Sequence, residues 1–198
     1  MPEKLDRADS FQDQNNFLES SIKLFRYYKG IGEKAIDQLS DEQVLQKPNE
    51  ARNSIALIVH HLSGNMLSRF TDFLATDGEK PWRNRETEFD EAYPDKAAMM
   101  KAWEGGWACV FSAMAPLKAE DVSRIVYIRN EGQTVLEAIQ RQLAHYASHI
   151  GQIIYQAKIL KGEGFSSLTI PKGGSLAFNQ EMFGQGKGRR HFTDTQKP

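Results

Sequence analysis

Two histidines, His145 and His149, stand one helical turn apart in the run Leu143-Ala144-His145-Tyr146-Ala147-Ser148-His149-Ile150-Gly151-Gln152. On an α-helix, side chains at i and i+4 leave the same face with their Cβ atoms roughly 5–6 Å apart. Two imidazoles at that spacing can share one divalent ion, although the same spacing also arises between ordinary boundary histidines. A third imidazole is available from His60 or His61, in a segment that is apolar nearly all round. An imidazole buried there needs a partner, and a metal ion, a carbonyl or a carboxylate would each serve. Helical periodicity leaves His60 and His61 equivalent, on opposite sides of the most apolar line. Three histidines leave a tetrahedral ion one open position, the arrangement of catalytic zinc sites. Imidazole also suits nickel, copper and iron, so ligand type does not name the metal. Tyr146 follows the first histidine of the pair, where the metalloprotease helix motif has glutamate, so that chemistry is disfavoured.

Four helices are needed to position these residues. The first runs from Phe17 through Leu18, Ile22, Phe25, Ile36 and Leu39, with Gly30 and Gly32 predicting a weak or bent stretch. Residues 1–16 read as loose. Ser40-Asp41-Glu42-Gln43 has the form of a capping box. The second helix is predicted over about Ser54 to Ala75 and, being apolar nearly all round, is mostly buried. Residues 77–94 read as a long connection in which Trp82 is expected to act as an anchor. The third helix starts at Asp95, carries Met99, Trp103, Trp107, Val110 and Met114, and ends near Pro116; Gly105-Gly106 would let a neighbour come close. A short strand is possible over Val122 to Ile128, with a turn at Asn130-Glu131-Gly132. The fourth helix starts at the Thr134–Glu137 capping box and carries a bundle seam to Gly162, with the histidine pair on its shoulder. The fold class is therefore all-α: a four-helix bundle with a crossover connection, a bundle domain over 1–162 and an irregular C-terminal extension over 163–198. Little order is expected beyond Gly184, and His191 reads as solvated.

Composition excludes several function classes. The chain of 198 residues carries a formal charge of −1 and 40% hydrophobic residues, so no strong field favours nucleic acid or an anionic membrane. No apolar run is long enough to span a bilayer, and Met1 to Arg7 lacks the apolar run of a secretion signal. The expected location is cytoplasmic. Cys109 is the single cysteine; it falls in an apolar stripe and reads as packing.

The segments Ile58-Val59-His60-His61-Leu62-Ser63-Gly64-Asn65-Met66 and His145-Tyr146-Ala147-Ser148-His149-Ile150-Gly151-Gln152-Ile153 resemble the DinB-like superfamily, and in particular a bacterial branch of about this length. The resemblance covers roughly residues 17–161. It implies a three-histidine metal site with His61, His145 and His149 as ligands and His60 as the extra residue. Zinc, nickel or iron is the implied ion, and relatives are often homodimers. Characterised members include transferases and isomerases that use bacillithiol, mycothiol or glutathione, which implies a low-molecular-weight thiol cofactor and a small-molecule substrate. The expected function is thiol-dependent S-transfer. The alternatives are metal-dependent hydrolysis, for which no carboxylate has a revealing spacing, and a non-enzymatic stress or interaction module. Asn65, Arg69, Arg141 and Gln152, with Gln142 beside them, are the candidate substrate-binding residues by helical spacing from the histidines; an arginine there would hold a substrate carboxylate bidentately. No catalytic acid or base is apparent.

Overall fold

In the computed structural model, which describes residues 7–49, 52–90 and 93–195, the chain opens on α1 (Arg7–Ile36). This helix starts well before the apolar pattern at Phe17, so the loose start expected over 1–16 is helical from Arg7; residues 1–6 lie outside the described residues. The helix also runs unbroken through Gly30 and Gly32. The reason for Gly32 is packing: a Cβ there would meet the Trp103 ring at 2.9 Å and Ile150 at 3.0 Å. The glycine makes room for one of the two fully buried tryptophans of the core.

Helix starts fall where the caps stand. Ser40 opens α2 (Asp41–Leu45) with a complete capping box. Ser54 opens α3 (Ile55–Phe70), Asp95 opens α4 (Lys96–Met114) and Thr134 opens α5 (Val135–Lys161). Each accepts a bond from the N–H three residues on, which satisfies a donor the helix cannot. Helix α3 stops at Phe70, short of the expected Ala75. Thr71 is extended and Asp72 has φ of 48°, so the apolar Phe73 and Leu74 pack from a turn instead. Gly162, at φ 61°, ends α5.

The molecule is mostly helical. Its core lies between α1, α3, α4 and α5, with α3 packed most extensively on α4 and α1 on α5. Phe25, Trp103, Trp107 and Tyr146 meet at its centre. Gly106 sets the closeness of α3 and α4: a Cβ there would lie 3.0 Å from Met66 Sδ and 3.1 Å from Ser63 Cα. Gly105 faces open space.

The possible strand is real and has a partner. Strands β1 (Ile125–Ile128) and β2 (Glu131–Thr134) form an antiparallel hairpin, with Ile128 opposite Glu131 and Ile125 opposite Thr134. Its turn falls at Arg129-Asn130, at φ 56° and 62°, one residue earlier than the glycine had indicated. Two left-handed residues match the twist of a two-residue hairpin. Asp77 holds this turn: its carboxylate accepts the N–H groups of Arg129 and Asn130, both at 2.8 Å.

The C-terminal stretch departs most from expectation. A helix, α6 (Ser175–Gly184), occupies its middle. Beyond Gly184 the chain returns to α1, where His191 meets Ser20 at 3.1 Å, Asp194 pairs with Lys23 at 2.8 Å and Phe192 packs edge-on to Tyr27. His191 is thus half-buried and bonded, not a solvated residue.

Candidate metal centre and its cavity

His61 is presented by α3 and is buried; His145 and His149 project from α5 and are half-buried. One nitrogen of each ring lies within 4.8 Å of the other two. His145 Nε2 is 3.3 Å from His61 Nε2 and 3.1 Å from His149 Nε2. Two nitrogens each about 2.0–2.1 Å from one tetrahedral zinc ion would stand about 3.3–3.4 Å apart. The three rings are therefore already gathered at ligand spacing.

The protons argue in the same direction. His61 Nδ1 lies 2.9 Å from a carboxylate oxygen of Glu88, which can only accept, so a proton belongs on Nδ1; in the neutral ring Nε2 then carries the lone pair that a metal would take. His149 Nδ1 faces the Gln152 carbonyl oxygen at 3.3 Å, which likewise leaves a lone pair on His149 Nε2. His145 Nε2 has at most one proton and two neighbours. With all three rings neutral, one of its two close contacts is lone pair against lone pair, an arrangement that a cation between them would relieve. Burial, followed by the neighbouring charges of His149 and His61, pushes His145 down to about 3. Burial and His61 also lower His149, against the Gln152 bond. Both rings are neutral at pH 7, the state in which imidazole binds a metal.

Glu88 is the site residue that the sequence did not reveal. It sits in the connection between α3 and α4 and is buried at 3% exposure, among exposed neighbours. Arg83 grips it with two bonds, Nε to Oε1 at 2.6 Å and Nη2 to Oε2 at 2.9 Å. Burial alone would raise the carboxyl; the bonds from His61 and Arg83 outweigh it and bring it down to about 2. Trp82, the expected anchor of this connection, is 54% exposed; the Arg83–Glu88 pair anchors it instead. The signal that could have found Glu88 is Gly64, where a Cβ would lie 2.5 Å from Glu88 Oε1. A helix glycine one turn from a histidine thus marks the place where the carboxylate enters. Gly64→Ala is expected to push Glu88 away from His61 and to lower metal affinity by about 10-fold or more, within the range for losing a ligand's supporting partner. Alanine favours a helix, so titration of metal into the variant reads the displaced carboxylate while circular dichroism reports unchanged helicity.

Of the candidate substrate residues, Asn65, Arg69 and Arg141 line one cavity of about 170 Å3 together with His61 and His145. Asn65 is buried and accepts a bond from the Tyr146 hydroxyl at 3.2 Å. Arg69 is buried and donates to the Gly78 carbonyl and to Glu79; burial and the charge of Arg83 hold it below its ordinary value, against Glu79. Arg141 is exposed at the rim. Gln142 also lines this cavity, whereas Gln152 stands behind His149. Arg83, Arg85 and Arg129 complete the lining, and sequence spacing pointed to none of these three. His60 is not part of the cluster: its ring packs edge-on against Tyr93. Cys109 is half-buried beside Thr71, at 3.6 Å, away from the cavity.

The fold and the site together define a mostly helical protein with three clustered histidines that could hold a metal ion. By sequence, the chain belongs to the family described as "Protein of unknown function (DUF1572)", whose model matches residues 12–174. No curated protein matches it. Among the described residues no helix is long and apolar enough to cross a membrane.

Proposed function

We propose that this chain is a divalent-metal protein of the DinB-like kind, a four-helix bundle with a crossover between α3 and α4, that transfers a low-molecular-weight thiol to a small electrophile. His61, His145 and His149 hold the ion. The observation that carries this reading is the gathering of the three imidazoles, with one nitrogen of each ring within 4.8 Å of the other two. A bound divalent ion with an open position would lower the pKa of a thiol or water placed there. Glu88 keeps the proton of His61 on Nδ1 and fixes the ring, while Gln152 does the same for His149. No protein thiol is required, in keeping with the placement of Cys109.

Hydrolysis at such an ion would be aided by a general base, and the buried carboxylate of the site is poorly placed to be one. Glu88 is the nearest carboxylate, and its oxygens are engaged by Arg83 and His61. Held at about 2, it is too weak a base for that task at neutral pH. The test uses purified protein loaded with zinc, nickel or iron and incubated with 1-chloro-2,4-dinitrobenzene and bacillithiol, mycothiol or glutathione. Conjugation above the uncatalysed rate with one of these thiols is the expected result. Background rates with all three would overturn the transferase reading.

A further inference from the structure

The cavity beside the histidines is far more cationic than the chain as a whole. Five of its lining residues are arginines, and none is acidic, in a protein whose formal charge is −1. Three carboxylates stand nearby, and all are already engaged: Asp77 accepts the backbone N–H groups of Arg129 and Asn130. Glu79 is shared by Arg69 at 3.2 Å and Arg129 at 2.9 Å, and Glu88 takes Arg83. The side chains of Arg85 and Arg141 have no hydrogen-bond or ion-pair partner among the described residues, and both residues are exposed at the cavity. Arg85 and Arg141 therefore offer an anion from outside two uncompensated charged donors at one cavity.

We propose that this cavity is a subsite for a compact dianion of the phosphate-monoester class, gripped by Arg85 and Arg141 beside His61 and His145. A single carboxylate would answer one of the two unpaired guanidinium groups. A phosphate monoester carries about −1.5 to −2 at pH 7 on three strong acceptor oxygens, and guanidinium forks bind such oxygens in pairs. At about 170 Å3 the cavity is smaller than the about 300–1,000 Å3 of drug-sized sites. It would therefore take the charged head of a molecule and leave the remainder outside. The proposal rests on the metal-centre reading only for its place beside the reacting position, since the arginines need no metal to bind an anion.

The experiment is calorimetric titration of the metal-free, full-length chain with inorganic phosphate, glycerol 3-phosphate, succinate and acetate. One saturable site for phosphate or the ester is expected, weaker at higher salt and weakened about tenfold or more in both Arg85→Gln and Arg141→Gln. Tighter binding of the ester points to a substrate phosphate, and tighter binding of phosphate to the free ion; either supports the subsite. Binding that does not saturate, or that is unchanged in both variants, overturns it, and so does a preference for succinate. Because the protein is metal-free, failure here leaves the metal centre untouched, and a chain that takes up no metal still tests the subsite.

Discussion

Replacing His149 by alanine is expected to leave the purified protein essentially without bound zinc, nickel or iron. Elemental analysis should find near-stoichiometric metal in the parent and almost none in the variant. Losing a residue that merely supports a ligand costs about 10–100-fold in affinity, and losing one of three ligands costs more. His149 suits this test because it is only half-buried, so alanine there leaves no deep void. His61→Ala and His145→Ala should empty the centre equally. His60→Ala, one residue away on the same helix but with its ring against Tyr93, should keep its metal. Equal metal in the parent and the His149 variant would remove the site.

The second large effect is on stability. Glu88→Ala is expected to cost about 3–5 kcal/mol, because it strands the Arg83 guanidinium, whose side chain is only 3% exposed, without its counter-charge. Denaturant unfolding of the metal-free protein reads this apart from any metal. The pH dependence has a definite sign. Glu88 is held at about 2, below its ordinary 4.5. Its contribution is thus fully present above about pH 4.5 and is lost as the pH falls toward about 2. Glu88→Gln should flatten that part of the acid-unfolding curve. An unchanged midpoint in Glu88→Ala would show that the pair contributes nothing net.

Much of the helical frame was legible because its signals are local. Ser54, Asp95 and Thr134 each cap within four residues of their own position, and the seam from Leu136 to Leu160 repeats on one helix. The histidine pair was legible for the same reason. His60 and His61 could not be separated by periodicity, since a helix apolar nearly all round gives no direction; contact with α5 and with the connection decides between them. Glu88 was hidden because it stands among Glu86 and Asp90 in a charged stretch, and what distinguishes it is contact with α3 far along the chain, with His61 27 residues away and with Gly64. The early end of α3 was masked by Phe73 and Leu74, which continue the apolar character while the backbone turns at Asp72. The return of the C-terminal stretch to α1 depends on pairs 171 residues apart, for which no local pattern exists.

That return also orders events in folding. Joining two points so far apart in a free chain costs closure entropy that grows with the logarithm of the loop, and an exposed ion pair such as Lys23–Asp194 recovers about 1 kcal/mol at most. The contact therefore closes only after the helices have packed and shortened the path between its ends. In the finished protein it is also the cheapest piece to release, since opening it sacrifices surface contacts and none of the core around Trp103 and Trp107. Residues 185–195 are thus expected to come away from α1 before the core opens, which would bare Tyr27 and Ser20 while the histidine cluster stays assembled.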